Sequence, residues 1–270
     1  MAAPLIIVRG GGDVATGVIE KLHRVGFSLL VLEAPKPTAI RRGVALCEAI
    51  YEGRYRVESM EAVRVELGDR DTIEKLWKEH LIPIAIDPEG IAIETYHPTA
   101  VIDGILAKRN LGTHRGMAPI TMGLGPGFVA GKDVDVVIET MRGHDLGRLI
   151  FEGAAMEDTG VPGEIAGFGR ERVLHAPCEG IFQGVSSIGD FVAKGQVVAR
   201  VGNTPVKSKI DGMVRGLLRS GLLVHQGMKV ADVDARKNKS SCYTISDKAR
   251  TVGGAALEAL FYKMRIYCQG

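Results

Sequence analysis

Three successive glycines followed by an acid, Gly10-Gly11-Gly12-Asp13, form the first pattern in this chain that suggests chemistry. They stand between an apolar run at 5–8 and a segment with apolar residues at Val14, Ala15, Val18, Ile19, Leu22 and Val25, which is helical spacing. With Ala15 the turn fits G-x-G-x-x-A. Gly10 permits the turn, Gly12 lets the backbone approach a phosphate, and Ala15 allows close helix–strand packing. The helix start, with Thr16 in its first turn, then offers N–H groups to an anion. Glu33 ends the next strand, where a carboxylate can take ribose hydroxyls. Asp13 opposes this reading, because a carboxylate at the turn repels a pyrophosphate unless a cation or Arg9 compensates it. Its other role is that of a helix cap.

A second glycine cluster, Gly123-Leu-Gly125-Pro-Gly127, reads either as a phosphate or pterin loop or as a tight turn between strands. Lys108 follows a strand-like segment and is placed to point into the crevice at the carboxyl ends of the strands. Arg142-Gly-His144-Asp-Leu-Gly-Arg148 sets a histidine beside an acid between arginines, which suits anion binding, proton transfer or a charged surface turn. Arg41 and Arg42 are either phosphate ligands or a solvated face. The chain has no H-E-x-x-H, no Walker lysine and no G-x-S-x-G, so no catalytic residue is assigned and no metal is expected.

These residues need a scaffold, and the pattern supplies one. Strand, helix and strand within the first 33 residues make a βαβ unit and imply a parallel sheet. Segment 41–51 can form a helix, 57–67 is strand-like, and Asp71-Thr-Ile-Glu74 resembles a capping box. Further strands are expected at Ile82–Ile86, 100–107, Ile120–Leu124 and 134–140. A linker-like stretch at 157–163 marks a boundary. Beyond it, residues 176–201 align with 208–233 without gaps, pairing Gly180 with Gly212, Gly184 with Gly216, Gly189 with Gly221 and Val201 with Val233. That repeat resembles the barrel-sandwich hybrid of biotinyl and lipoyl carrier domains. The connection at 202–206 carries no lysine, so biotin and lipoate are not expected. A tail helix from Ser246 would bury Val252, Ala256, Ala259 and Leu260. The expected fold is thus α/β: a Rossmann-like parallel-sheet domain at 1–155, a small barrel-sandwich-type β domain at 170–235, and a C-terminal helix at 244–266 packing back on the body.

Composition bounds the partners. A net charge of +2 and the absence of a dense basic run argue against nucleic acid or an anionic membrane. No apolar stretch approaches the ~20 residues of a membrane span, and the N-terminus lacks a signal peptide's basic region, so a cytoplasmic protein is expected. Cys47, Cys178, Cys242 and Cys268 are scattered without a C-x-x-C pair, which disfavours a disulfide scaffold or a cysteine zinc site. Cys47 reads as core.

The ordered strings Val8-Arg-Gly-Gly-Gly-Asp13, Ala15-Thr-Gly17, Ala39-Ile-Arg-Arg42, Ala107-Lys-Arg-Asn-Leu-Gly-Thr113, Gly123-Leu-Gly-Pro-Gly-Phe128, Glu139-Thr-Met-Arg-Gly-His-Asp-Leu-Gly-Arg148, Asp158-Thr-Gly-Val-Pro-Gly163 and Thr244-Ile-Ser-Asp-Lys-Ala249 cover nearly the whole chain. In them the sequence resembles the accessory-protein family of the selenium-dependent molybdenum hydroxylase system, the YqeB type. The N-terminal part is also similar to the Rossmann-like domain of molybdenum-cofactor insertion chaperones of the XdhC type. The resemblance implies a bacterial cytoplasmic factor for maturing molybdenum hydroxylases, handling the molybdopterin cofactor or its selenium ligand, and it carries over no catalytic residues. A maturation factor of this kind would bind a nucleotide or pterin dinucleotide on Gly10, Gly12 and the helix start, with Lys108, Gly125, Gly127 and Arg142 completing the crevice. Its β domain would dock the client enzyme, with a homo-oligomer left open. Two other readings stand beside it. One is an NAD(P)-dependent oxidoreductase, with Glu33 selecting NAD and His144–Asp145 moving protons. The other is a non-catalytic protein-binding scaffold.

Overall fold

The computed structural model describes residues 3–161 and 163–267, and expectations touching Met1, Ala2, Pro162 and Cys268 lie outside them. The chain divides into two compact units. The first comprises residues 1–37, 46–158 and 245–270, and the second 38–45 and 159–244.

In the first unit the chain runs through β1 (Leu5–Arg9), α1 (Asp13–Arg24), β2 (Ser28–Glu33), α2 (Ala49–Glu52), β3 (Arg54–Val57), β4 (Met60–Arg64), α3 (Arg70–Lys78), β5 (Ile82–Ile86), α4 (Ile91–Tyr96) and β6 (Ala100–Asp103). It continues through β7 (Ile120–Leu124), β8 (Val129–Ala130), β9 (Val136–Ile138), β10 (Leu149–Ile150) and β11 (Gly153–Ala154). Nine of these strands form one sheet in the order β10-β9-β7-β6-β1-β2-β5-β4-β3, and β8 and β11 form a separate pair. Neighbours are parallel from β9 through β4, while both edges, β10 on β9 and β3 on β4, are antiparallel. The buried strands β1, β2, β5 and β6 are short runs of Ile, Leu, Val and Ala, as strands covered on both faces require.

The expected fold class is corrected here. A Rossmann-like domain winds a helix into each crossover, but this sheet is mixed, and the link from β6 to β7 holds only a 3-10 turn at Arg115–Met117. Gly104, Gly112, Gly116 and Pro119 break that stretch, and each would weaken a helix. The chain's last helix, α5 (Asp247–Tyr267), instead supplies the layer and packs alongside α1. Their approach is backbone to backbone: a Cβ at Gly17 would collide with the Ala249 carbonyl, and one at Gly253 with that of Gly17. Local corrections follow the same logic. Segment 41–51 forms 3-10 turns and a one-turn helix rather than one helix. The cap of α3 is Asp69, accepting from Thr72 N at 3.1 Å, two residues before the expected box.

The second unit contains β12 (Val173–His175), β13 (Gly180–Gly184), β14 (Phe191–Val192), β15 (Val197–Val201), β16 (Thr204–Lys207), β17 (Gly212–Leu217), β18 (Leu223–Val224) and β19 (Lys229–Asp234). They form two antiparallel four-stranded sheets, β12-β19-β17-β14 and β16-β15-β13-β18. The repeat falls on them, with β13, β14 and β15 matching β17, β18 and β19, and the short strand of each half pairs with the long strand of the other. A self-contained carrier-type domain is nonetheless not what forms. β12 extends one sheet, and the distant segment 38–45 lies along β17, where Leu217 N–H donates to Ile40 O at 2.8 Å and Arg42 Nε to Leu217 O at 2.7 Å. A Cβ at Gly216 would meet Ile40. Around the same strands Arg172 and Arg215 are buried with Asp232 and Asp234.

Among the described residues no helix is long and apolar enough to cross a membrane.

Candidate functional site

Because the central strands are parallel, their carboxyl ends share one edge, and a polar residue stands at most of them: Arg9, Glu33, Asp87, Asp103 and Glu139. All five are turned to the protein's own use, Glu139 by accepting from Met141 N and Met156 N. Arg9, fully buried at the end of β1, donates to Thr113 Oγ1 at 2.5 Å, Pro88 O at 2.8 Å and Leu111 O at 3.3 Å, and pairs with Asp103 at 3.7 Å. Asp87 accepts from the first three N–H groups around α4, at Gly90, Ile91 and Ala92. Asp103 accepts from Ile105 N and from the Thr113 hydroxyl, and burial raises its pKa. Glu33 accepts from Gly11 N and Ala34 N, each at 2.8 Å. Burial raises its pKa, opposed by those two hydrogen bonds. The carboxylate expected to receive a ribose is therefore bound to the glycine turn itself.

The candidate residues separate on this geometry. Gly10, at φ +93°, donates to Leu32 O, and a Cβ there would meet Ile105 Cα at 3.0 Å. Gly11 packs on Cys47, whose thiol burial, then Glu33, Glu48 and Asp13, push well above its ordinary pKa. Ala15 faces Gly104, and the Thr16 hydroxyl donates to Gly11 O and accepts from Leu46 N. The second cluster is filled from within. A Cβ at Gly123 would strike the Phe128 ring, one at Gly125 the Thr140 hydroxyl, and one at Gly127 the Arg109 Cα at 2.7 Å. Arg41 donates to Ser241 O and Thr244 O inside the second unit.

Gly12 differs. It is the N-cap of α1 at φ −66°, no side chain caps it, and a Cβ there would meet nothing within 4 Å. Neither backbone conformation nor packing accounts for glycine at this position. Next to it, Asp13 acts electrostatically on Lys248, which lies in the first turn of α5. Arg142, Glu139 and Asp158 act on Lys248 in the same way. Burial, and then Arg142, lower its pKa, while Asp13, Glu139 and Asp158 act to raise it. Lys108 pairs with Asp158 at 2.5 Å, and Arg142 grips Asp247 with two hydrogen bonds of 2.7 and 2.9 Å. Leu106 and Lys108 both hold left-handed φ, +58° and +61°, strain that marks the loop carrying Lys108. His144 is exposed on the loop between β9 and β10. Glu139, whose carboxylate accepts from Met141 N and Met156 N, also borders a cleft of about 340 Å³ with Asp145, Arg148, Phe151 and Met156.

Thus Asp13, Arg142 and Asp158 all act electrostatically on Lys248, with Lys108 held on Asp158, and the fold itself uses Gly10, Gly11, Ala15, Thr16, Glu33, Gly123, Gly125 and Gly127. The sequence reading missed Lys248, Glu139, Asp158 and Asp247 as site residues. One signal was available: Lys248 is a cation in the first turn of a helix, where the dipole disfavours it. Among the described residues no group of three or more His, Cys, Asp or Glu is placed to hold a metal ion.

No protein-family model matches the chain. It is 45% identical over 260 residues to the uncharacterized protein YqeB of Escherichia coli (strain K12), a match covering 96% of this chain and 48% of that protein. The chain therefore spans about half the length of the curated relative it matches. Solved structures with slight likeness include the product-bound ectoine utilization protein EutE (DoeB) of Ruegeria pomeroyi, at 11% identity and TM-score 0.26, covering 86% of this chain and 85% of that one. An aspartoacylase family protein of Mesorhizobium loti stands at 15% identity and TM-score 0.28, with the same coverage. Likeness at that level carries no argument.

Proposed function

We propose that the chain is a bacterial cytoplasmic accessory factor in the maturation of a molybdenum hydroxylase, one of the selenium-dependent system, and that it holds a molybdopterin-type or nucleotide cofactor for its client. The single observation that carries the binding half is Gly12, a glycine that neither the fold's packing nor its dihedral angle requires, opening beside charged groups of both signs. Such a site suits a phosphorylated heterocycle: Lys108, Arg142 and Lys248 offer cations to phosphate. Asp13 and Asp158 offer acceptors to the amino edge of a pterin or base. The maturation half rests on the strings that resemble the hydroxylase accessory family; the similarity to the uncharacterized YqeB fits the YqeB type and goes no further. The second unit is assigned to docking the client.

The hydride-transfer reading gains no support, because both Glu33 oxygens are engaged by backbone N–H groups. The test is native mass spectrometry of protein purified from its own host, followed by calorimetric titration with pterin dinucleotides, NAD(P) and nucleoside phosphates. A retained or titrated pterin dinucleotide is the expected result. Absence of binding to all of them overturns the proposal.

A further inference from the structure

Aromatic side chains are scarce in this chain, with one Trp, six Tyr and seven Phe in 270 residues, and four of them gather at one place on the first unit. On the C-terminal half of α5, Phe261 and Tyr262 stand 53% and 50% exposed. The Phe261 ring lies 6.0 Å from that of Phe27, in the turn between α1 and β2. The Tyr262 ring lies 5.1 Å from that of Phe151, which sits between β10 and β11 and is itself 45% exposed. The rings are thus joined in the order Phe27, Phe261, Tyr262, Phe151 across the helix. The fold does not need the α5 pair there, because that helix is fastened by Val252, Ala256, Ala259 and Leu260, all buried. Rings held in water at a surface mark a face that another protein covers, since each can bury roughly 150–250 Å² and aromatic anchors dominate interface energetics. Phe151 also borders the cleft of about 340 Å³, whose lining sets Glu139, Asp145 and Glu152 against the guanidinium of Arg148. That balance of charge favours a basic side chain.

The match to YqeB bears on what covers this face. It spans 96% of this chain and only 48% of YqeB, so that protein carries about as much chain again outside the match. Halves joined on one polypeptide meet at high effective concentration, and domains so joined share interfaces of roughly 600–1,500 Å². We propose that the aromatic row on α5, with the cleft beside Phe151, docks the counterpart of the half of YqeB that lies outside the match, on the same polypeptide or as a separate protein. The rings seat in an apolar face of that partner, and a Lys or Arg of the partner enters the cleft. The surface is separate from the cofactor crevice and from the client docking assigned to the second unit, so the inference stands or falls without them.

The experiment is photo-crosslinking in the source organism, with the full chain carrying p-benzoylphenylalanine in place of Phe261 and the crosslinked peptides sequenced by mass spectrometry. The control carries it in place of Phe191, a 49% exposed phenylalanine of the second unit. Crosslinks from position 261 are expected on a sequence homologous to the unmatched half of Escherichia coli YqeB, at least tenfold above those from position 191. Adding Tyr262→Ser or Phe151→Ser is expected to lower that yield fivefold or more, and Asp145→Asn with Glu152→Gln about two- to threefold. Tyr262→Phe, which keeps the ring, is expected to crosslink like the parent chain. Equal thermal melting of the variants separates lost docking from lost folding. Crosslinks only to a second copy of this chain, only to proteins unrelated to YqeB, or to nothing, overturn the inference. So does a yield on the YqeB counterpart that Tyr262→Ser and Phe151→Ser leave unchanged.

Discussion

The two glycine clusters of the first unit look alike in sequence and have opposite relations to the space around them. In Gly123–Gly127 each glycine is a place where another part of the chain has moved in: the Phe128 ring, the Thr140 hydroxyl and the Arg109 backbone. In Gly10–Gly12 the first two are filled the same way, by Ile105 and Cys47, and only the third opens outward. A run of glycines therefore reports close approach without saying what approaches. Protein fills five of these six positions, and at Gly12 a Cβ would meet open space. Of the six, Gly12 is the one that packing does not explain, and the acid Asp13 follows it directly.

The strongest way to break the comparison is to remove what joins the clusters. Arg9 leads into the first turn and, through Thr113 and Leu111, fixes the loop 104–113 on which Gly127 packs. Arg9→Met strips the buried Asp103 of its cation and leaves two carbonyls without their donor. A loss of about 3–5 kcal/mol is expected from chemical denaturation, because breaking one side of a buried ion pair leaves an uncompensated charge. A loss under about 1 kcal/mol would show that the clusters hold their shape independently. Next comes Gly127→Ala. At φ +109° with a backbone atom 2.7 Å from the new Cβ, strain and collision add, and about 2–4 kcal/mol is expected.

Much of the scaffold was legible because it rests on local pattern. The apolar runs of β1, β5 and β7, the helical spacing of α1 and the tail helix all read directly from periodicity. The mixed sheet was not legible. Nothing in the Gly- and Pro-rich stretch 104–119 says that a helix more than a hundred residues later will cover the sheet in its place. Nor does 38–45 announce that it lies along β17. The site divides in the same way. Asp13, Lys108 and Arg142 stood in conspicuous strings. Lys248 lay in one of the strings that carry the resemblance yet had no chemical pattern of its own, and only the approach of α1 and α5 at Gly17 and Ala249 brings its helix to that of Asp13. Glu33 bonds the N–H of Gly11, a contact that strand order creates and spacing alone cannot distinguish from one to a ribose.

Gly12→Ala sharpens the contrast with Gly127. The new methyl meets no protein atom, and alanine is merely a poorer helix cap than glycine, so a stability change of about 0.5–1 kcal/mol is expected. The same methyl enters the opening where the phosphate is placed, and pterin-dinucleotide affinity is expected to fall tenfold or more in the calorimetric titration. Unchanged affinity would return Gly12 to the company of the other glycines. A large loss of stability would show that the opening is part of the packed turn.

The smallest effect concerns Glu33, the group that keeps the first cluster in shape without a ligand. Burial raises its pKa in the folded protein, and the hydrogen bonds from Gly11 and Ala34 only partly oppose this. The folded state therefore holds this proton to higher pH than the unfolded chain does. Its contribution to stability is fully present below the unfolded value of about 4.3, and is lost as pH rises through the folded value. Glu33→Gln cannot titrate, so the difference in unfolding free energy between wild type and variant is expected to shift against the wild type as pH rises across that window, and to be flat above it. Denaturant midpoints measured from pH 4 upward give the sign. A shift in favour of the wild type would mean that the two N–H donors outweigh burial and that Glu33 acts as a stabilised anion. The first turn would then present its own carboxylate charge to any phosphate at Gly12.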